Sequence, residues 1–176
     1  MKTTIKNLTE RGFTLLELMI TLAVLAVLLS MGLPSLTESM NNNRVLSQTH
    51  EMVAMLGFAR NEAIRRNASV TIQLNSVTGG WNVIVEDPLN TADVEGCAIG
   101  QLRCSSNTRV GLTTGTNELV FNNRGYIRDG NPWTSETLYL QHESCNGNNQ
   151  RTRIDIMPTG QVSSCLLACN STAACP

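Results

Sequence analysis

The chain has 176 residues and a formal net charge of −1 at pH 7, which gives enough length for one modest domain with an appended segment. Its first 12 residues carry a net charge of +2, so the remainder carries −3, and this balance argues against a strongly basic nucleic-acid-binding domain. Aromatic residues make up 4% of the chain, and Asn, Thr, Ser and Gly dominate after about residue 75, which suits a small β-rich domain with long polar loops.

A long apolar run follows the basic N-terminus. It extends from Phe13 to Leu33, a length of 21 residues, and at about 1.5 Å per residue it nearly matches a hydrocarbon core of about 30 Å. The basic residues before it favour an orientation with the N-terminus inside and the C-terminus outside. A secretory signal peptide and a plain membrane anchor are the alternatives, but no clear A-x-A cleavage site of a signal peptide closes the run.

One charged residue, Glu17, interrupts this apolar run. An ionised carboxylate in lipid is costly unless it is paired, so Glu17 is a candidate functional residue. The string RGFTLLE at residues 11–17 resembles the type IV pilin-like leader. The resemblance implies that prepilin peptidase cuts between Gly12 and Phe13 and that the new amine of Phe13 is N-methylated.

The processed N-terminus gives Glu17 a role in assembly. After cleavage, the Phe13 amine is a new positive charge that the Glu17 carboxylate of a neighbouring subunit can neutralise as subunits stack. A misregistered subunit would bury an unpaired charge, so we expect this pair to set the axial register. Gly32 and Pro34 follow, and because proline removes a helix hydrogen bond, we expect a kink or local unwinding near residues 30–34.

From about Val45 to Asn67 the pattern becomes that of an amphipathic helix. Its apolar residues recur at spacings of three, four and seven: Val45, Met52, Val53, Leu56, Ala59 and Ala63. We expect one long helix whose first half lies in the membrane and whose second half packs on a globular domain. The arginines at 60, 65 and 66 fit a solvated face near a helix C-terminus better than a nucleic-acid-binding patch.

Strand-like segments separated by turns occupy the rest of the chain. The predicted strands are 69–74, 81–86, 109–112, 118–121, 136–142, 152–157 and 161–164. Gly79 and Gly80 predict a hairpin turn between the first two. Residues 87–108 show no clear period, and we expect them to form a long loop closed by cysteines.

The six cysteines all lie in the C-terminal half, at positions Cys97, Cys104, Cys145, Cys165, Cys169 and Cys175. An even number in a small extracytoplasmic domain predicts disulfides, whereas a zinc site is disfavoured because no CxxC knuckle is present. Sequence alone leaves 15 connectivities open. If strands 136–143, 152–157 and 161–164 lie side by side, Cys145 and Cys165 fall at the same end. Cys97 with Cys104 and Cys169 with Cys175 then close short loops.

A second resemblance covers most of the chain. It is carried by ARNEAI at 59–64, VTI at 70–72, FNNRG at 121–125, TLYL at 137–140, RIDI at 153–156 and PTG at 158–160. In this order and spacing the motifs are similar to those of the GspH/FimT family of minor pilins and pseudopilins. The resemblance implies an α+β fold, with a long N-terminal helix packed on a small antiparallel β-sheet domain.

The resemblance divides the chain into four segments. These are a leader at 1–12, a transmembrane and assembly helix at 13–34, an amphipathic helix half at 35–68, and a β-rich domain with disulfide-tied loops and tail at 69–176. It implies a subunit held in the bacterial inner membrane by a single pass. Its C-terminal domain lies in the periplasm until the subunit is incorporated into a pilus at the cell surface.

The implied function is that of a minor pilin of a type IV pilus, which helps to prime assembly at or near the tip. Its partners are other minor and major pilins, bound through the N-terminal helix. A type II secretion pseudopilin is one alternative, and a DNA-binding minor pilin for natural transformation is another. No GxSxG, HExxH or P-loop string is present, so we expect no enzyme, metal or cofactor.

DNA is a disfavoured partner for a specific reason. Some members of the family bind DNA through a Gly-Arg-x-Arg motif near the C-terminus, and the matching place here reads Gly160-Gln161-Val162-Ser163. Both arginines are absent. Since phosphate neutralisation is the main source of non-specific DNA affinity, their absence from an acidic domain weakens the DNA-binding alternative.

Overall fold

The computed structural model describes residues 12–127, 135–143, 145, 149–169 and 171–175, and at positions 31–34 it describes the backbone alone. Most of the predicted leader, 1–12, therefore lies outside the described residues. Within them the chain forms one helix and eight strands. It divides into two compact units, Met1–Thr37 and Glu38–Pro176.

Helix α1 extends from Leu15 to Arg66. Its start is capped by the hydroxyl of Thr14, which accepts a hydrogen bond from the backbone N–H of Glu17 at 3.2 Å. Its end is closed by Asn67, whose φ of 51° turns the chain so that Ala68 N–H reaches the carbonyl of Ala63 at 3.2 Å. The helical backbone is continuous through residues 31–34, so the local unwinding expected near Gly32 and Pro34 is not found, and a bend there stays a prediction.

The strands form two four-stranded antiparallel sheets rather than one. Their bounds are β1 Val70–Val77, β2 Gly80–Glu86, β3 Gln101–Asn107, β4 Val110–Thr114, β5 Glu118–Phe121, β6 Glu136–His142, β7 Gln150–Ile156 and β8 Val162–Ala168. The first sheet has the order β3-β2-β1-β5 and the second the order β4-β6-β7-β8. The predicted α+β class, with a long helix and antiparallel strands, is confirmed.

The core of the second unit lies between the C-terminal part of α1 and the inner faces of the sheets. From Val70 to Leu74 in β1 and from Trp81 to Val85 in β2 every second residue is buried, as expected for strands with one face on a core. The helix contributes Val45, Met52, Met55, Leu56, Ala59 and Ala63 to the same cluster as the strand residues. The predicted amphipathic stripe therefore faces the core, apart from Val53, which is only partly buried.

Strand β3 occupies part of the predicted long loop at 87–108. Its sequence, QLRCSSN, has one large aliphatic residue and no period-two alternation, so local pattern gave no strand signal. Its backbone pairs with β2 from Trp81↔Asn107 to Glu86↔Gln101. Pairing with β2 therefore stabilises a strand that the local sequence does not favour.

All six cysteines are paired, and two of the three predicted pairings are wrong. Cys97 is bonded to Cys104 as expected, but Cys145 is bonded to Cys169 and Cys165 to Cys175. Strand β8 continues to Ala168 instead of ending at 164. The C-terminal ends of β6 and β8 lie at the same edge of the sheet with β7 between them. The end of β8 is followed by Cys169, while Cys165 lies in mid-strand opposite Arg153.

Candidate functional site

The predicted processing and assembly residues lie together at the start of α1. Gly12 and Phe13 precede the helix, Thr14 is its N-cap, and Glu17 is in its first turn. Thr14 and Glu17 have the spacing of a capping box, which places a carboxylate where the positive end of the helix dipole favours it. Phe13 and Glu17 are both exposed. Cleavage, N-methylation and the pairing of Glu17 with a neighbouring amine stay predictions.

The first unit presents an apolar surface with no cover from the described chain. Every described side chain from Phe13 to Ser30 is exposed, including the large aliphatic ones from Leu15 to Leu29. Soluble monomers rarely expose so large a contiguous apolar surface. Helix α1 is long and apolar enough to cross a membrane, by length and composition. Lipid or the helices of other subunits would shield this surface from water.

In the second unit, three of the resemblance motifs meet at Arg60. Its Nε donates a hydrogen bond to the carbonyl of Gly125 at 3.1 Å, and its Nη2 donates to the carbonyl of Thr159 at 3.1 Å. These carbonyls belong to the turns at 122–125 and 157–160, each closed by its own backbone hydrogen bond. One guanidinium on α1 therefore holds a turn after β5 and a turn after β7. We call this arrangement the turn junction.

The two turns approach each other more closely than side chains allow. Gly125 and Gly160 have φ values of 78° and 75°, in the region that favours glycine. A Cβ on Gly160 would lie 2.0 Å from the carbonyl oxygen of Gly125, and a Cβ on Gly125 would lie 2.8 Å from Ile64. Packing of the turn junction therefore requires the glycine of the PTG motif, whereas the positive φ favours the glycine of the FNNRG motif.

The end of α1 is tied to the first sheet by an ion-pair network. Glu62 is buried and accepts hydrogen bonds from Arg65 at 2.6 Å and from Arg66 at 2.7 Å. Arg66 also donates to the buried Asp87 at 2.8 Å. The expectation of a solvated arginine face is therefore wrong for Arg60 and Arg66, which are fixed by partners, and holds only for the largely exposed Arg65.

Both carboxylates of this network are held in the charged form. Hydrogen bonds from Arg65 chiefly, and from Arg66, lower the pKa of Glu62 against the opposing effect of burial. Desolvation by burial tends to raise the pKa of Asp87, but the backbone N–H groups of Thr91, Leu89 and Ala92 and the Thr91 hydroxyl outweigh it, so the pKa is lowered.

These shifts predict acid sensitivity. A depressed folded-state pKa contributes stability that is present above the unfolded values of about 4.3 for Glu and 3.9 for Asp, and that is lost as pH falls through the folded-state pKa. We expect Asp87→Asn to lower the melting temperature at pH 7 and to reduce its further fall on acidification below about pH 5. Thermal unfolding of the detergent-solubilised full chain from pH 7 to pH 3 measures both effects.

The exposed Asp93 provides the control for this experiment. Asp93→Asn should reproduce the wild-type pH profile, because no ion pair holds Asp93 in the described part of the chain. Equal profiles for wild type and Asp87→Asn would show that the network does not contribute to the pH dependence.

Sequence reasoning missed the turn junction and Asp87 for different reasons. Asp87 follows strand β2 directly and precedes proline, and an Asp at the start of a turn commonly accepts backbone N–H bonds. The sequence therefore contained a signal for the role of Asp87 in the turn. The partners of Arg60 lie 65 and 99 residues away in the chain, and only the tertiary fold reveals them.

Comparison with known proteins follows the same division of the chain. Residues 48–160 match the family described as type II transport protein GspH, and residues 8–33 match the prokaryotic N-terminal methylation motif. The pilin-like protein PilA1 of Thermus thermophilus is 41% identical over 85 residues, 47% of this chain and 53% of that protein. The chain thus spans about half the length of this curated relative.

Two solved structures resemble the fold. The type IV minor pilin FimU of Pseudomonas aeruginosa has a TM-score of 0.51 and 19% identity, with coverage of 69% of this chain and 87% of FimU. The minor pseudopilin EpsH of the Vibrio cholerae type 2 secretion system has a TM-score of 0.48 and 13% identity, with coverage of 72% and 98%. At these identities the similarity to FimU supports the fold but no function. The similarity to EpsH is too low to support either.

Proposed function

The chain belongs to the family of the type II transport protein GspH, and from that premise we propose that it is a minor pilin of a bacterial type IV pilus. It is a structural subunit that helps to prime assembly at or near the tip. The methylation motif at residues 8–33 and the similarity to a relative named as pilin-like support this proposal.

The observation that carries the proposal is the exposed apolar helix start with its single carboxylate. From Phe13 to Ser30 this segment offers aliphatic side chains all around the helix, which suits lipid first and a bundle of partner helices afterwards. Glu17 is exposed one turn from Phe13, where it can meet the amine of a neighbouring subunit. The partners are other minor and major pilins, and prepilin peptidase is the processing enzyme.

The proposed location follows from the same segment. The subunit is anchored in the inner membrane by one pass of α1, with its C-terminal domain in the periplasm, and then enters the pilus. DNA is not the main partner, because Gln161 and Ser163 stand where the DNA-binding members carry arginine.

A type II secretion pseudopilin is the second candidate, and the name of the matching family favours it. Deletion of the gene in the native bacterium separates the two machines. If the chain is a priming minor pilin, we expect the number of surface pili, counted by electron microscopy, to fall at least about tenfold because initiation fails. Secretion should continue, and complementation with the wild-type gene should restore the number of pili. This magnitude corresponds to about 1.4 kcal/mol in an assembly equilibrium. Unchanged pili with lost secretion would overturn the pilus assignment in favour of the pseudopilin.

A further inference from the structure

The loop between β2 and β3, residues 87–100, is fixed from its base. Asp87 accepts backbone hydrogen bonds from Thr91 at 2.9 Å and Ala92 at 2.8 Å. The backbone of Gly100 bonds to both Asp87 and Ala92 at 2.8 Å, and the disulfide of Cys97 fastens the loop to β3. The loop therefore has a defined conformation without burying its own aliphatic side chains.

Those aliphatic side chains face solvent. Leu89 is 71% exposed and Ile99 is 76% exposed, although the loop that carries them is ordered by the contacts above. Large apolar side chains presented in a fixed conformation need little further ordering on binding. They are the kind of group that anchors protein interfaces.

Two depressions adjoin the loop on the outer face of the first sheet. One has a volume of about 420 Å³ and is lined by Glu86 and Ile99 among others. The second has a volume of about 450 Å³, and both are bordered by Ile84 and Gln101. Ile84 thus gives both depressions an aliphatic side chain within a mainly polar lining, and together they leave room beside the loop for side chains of a partner.

The charge on this surface is negative. Between residues 81 and 102 the chain has four acidic residues and no Lys, Arg or His. Asp87 is satisfied by Arg66, but Asp93 and Glu95 are exposed and have no ion pair within the described part of the chain. The neighbouring Arg103 lies over the ring of Phe58 at 5.6 Å and forms no ion pair with either carboxylate in the part of the chain that the structure describes. Such a field attracts cationic groups and repels nucleic acid.

We propose that this loop surface, defined by Leu89, Asp93, Glu95, Ile99 and the two depressions, binds a basic segment of another protein subunit. The segment carries lysine or arginine beside an aliphatic side chain. Its aliphatic group packs against Leu89 and Ile99, and its cations meet the carboxylates, which set orientation and association rate. This contact goes beyond helix packing, since it uses the globular domain to select a neighbour within the proposed filament.

The test uses the full chain in nanodiscs of zwitterionic lipid. The probe is a fluorescein-labelled short peptide of alternating lysine and leucine, followed by fluorescence anisotropy, with empty nanodiscs as blank and an alternating glutamate and leucine peptide as charge control. We expect saturable binding of the lysine peptide that weakens with salt. The variants Asp93→Asn/Glu95→Gln and Leu89→Ser/Ile99→Ser should each weaken it at least about tenfold.

Matched variants elsewhere identify the surface. Glu38→Gln/Glu143→Gln removes two carboxylates and Val77→Ser/Met157→Ser removes two exposed apolar side chains. Both should bind like wild type. Equal binding by all variants, binding of the glutamate peptide, or no saturable binding by wild type would each overturn the proposal. These outcomes do not depend on pilus assembly, so they are distinguishable from failure of the proposed function.

Discussion

Replacing Glu17 with valine is expected to leave the protein cleaved and membrane-bound but to exclude it from filaments when wild-type subunits compete. Glu17 is the one charged residue between Phe13 and Leu33, and its removal leaves the Phe13 amine without a partner when subunits stack. Breaking a buried pair by removing one member costs roughly 3–5 kcal/mol. We therefore expect at least about a hundredfold disadvantage in incorporation.

The measurement compares tagged wild-type and Glu17→Val subunits expressed together in the native bacterium. Quantitative mass spectrometry of sheared fibres and of the membrane fraction gives the share of each subunit that is incorporated. The mass of the N-terminal peptide shows whether the chain has been cleaved before Phe13 and has gained one methyl group. Glu38→Val, a change of the same type later in α1, should retain incorporation. Recovery of Glu17→Val in fibres at the wild-type share would remove the register role from Glu17.

Local signals predicted most of the fold. Each of these signals involves residues that are close together in the sequence: Glu17 within an apolar run, the stripe from Val45 to Ala63, and the glycines at 79 and 80. The helix, β1 and β2 form as predicted, and the hairpin turn lies at Thr78 and Gly79, one residue before the predicted position, with Gly80 already in β2. The spacing of the apolar residues identifies such elements, because it indicates which face of the helix or strand packs against the core.

Features that depend on distant partners were not predictable in the same way. Strand β3 has no period of its own and forms by pairing with β2. The disulfides of Cys145 and Cys165 were assigned wrongly because an error of four residues at the end of β8 changed which cysteine follows that strand. The carbonyl partners of Arg60 are set by the turns after β5 and β7, so its role could not be read from an arginine cluster on a helix.

The turn junction predicts a large loss of stability from a single methyl group. In Gly160→Ala, the new Cβ lies 2.0 Å from the carbonyl oxygen of Gly125 at a φ of 75°. The turn must move, which also breaks the hydrogen bonds that Arg60 makes to both turns. Strain, overpacking and lost hydrogen bonds together cost roughly 3–5 kcal/mol, and we expect the melting temperature to fall by roughly 10 °C.

Gly96→Ala is the matched control, because Gly96 also has a positive φ, of 86°, but a Cβ there meets nothing within 4 Å. It should cost only the backbone strain, about 1 kcal/mol. Circular dichroism melts of the full chain in detergent, at one scan rate, compare the two. In an Arg60→Ala background, Gly160→Ala should lower the melting temperature less than it does in the wild type, because both substitutions affect the same contact. Equal losses from Gly160→Ala and Gly96→Ala, or full additivity with Arg60→Ala, would show that the collision at the turn junction is relieved without disturbing Arg60.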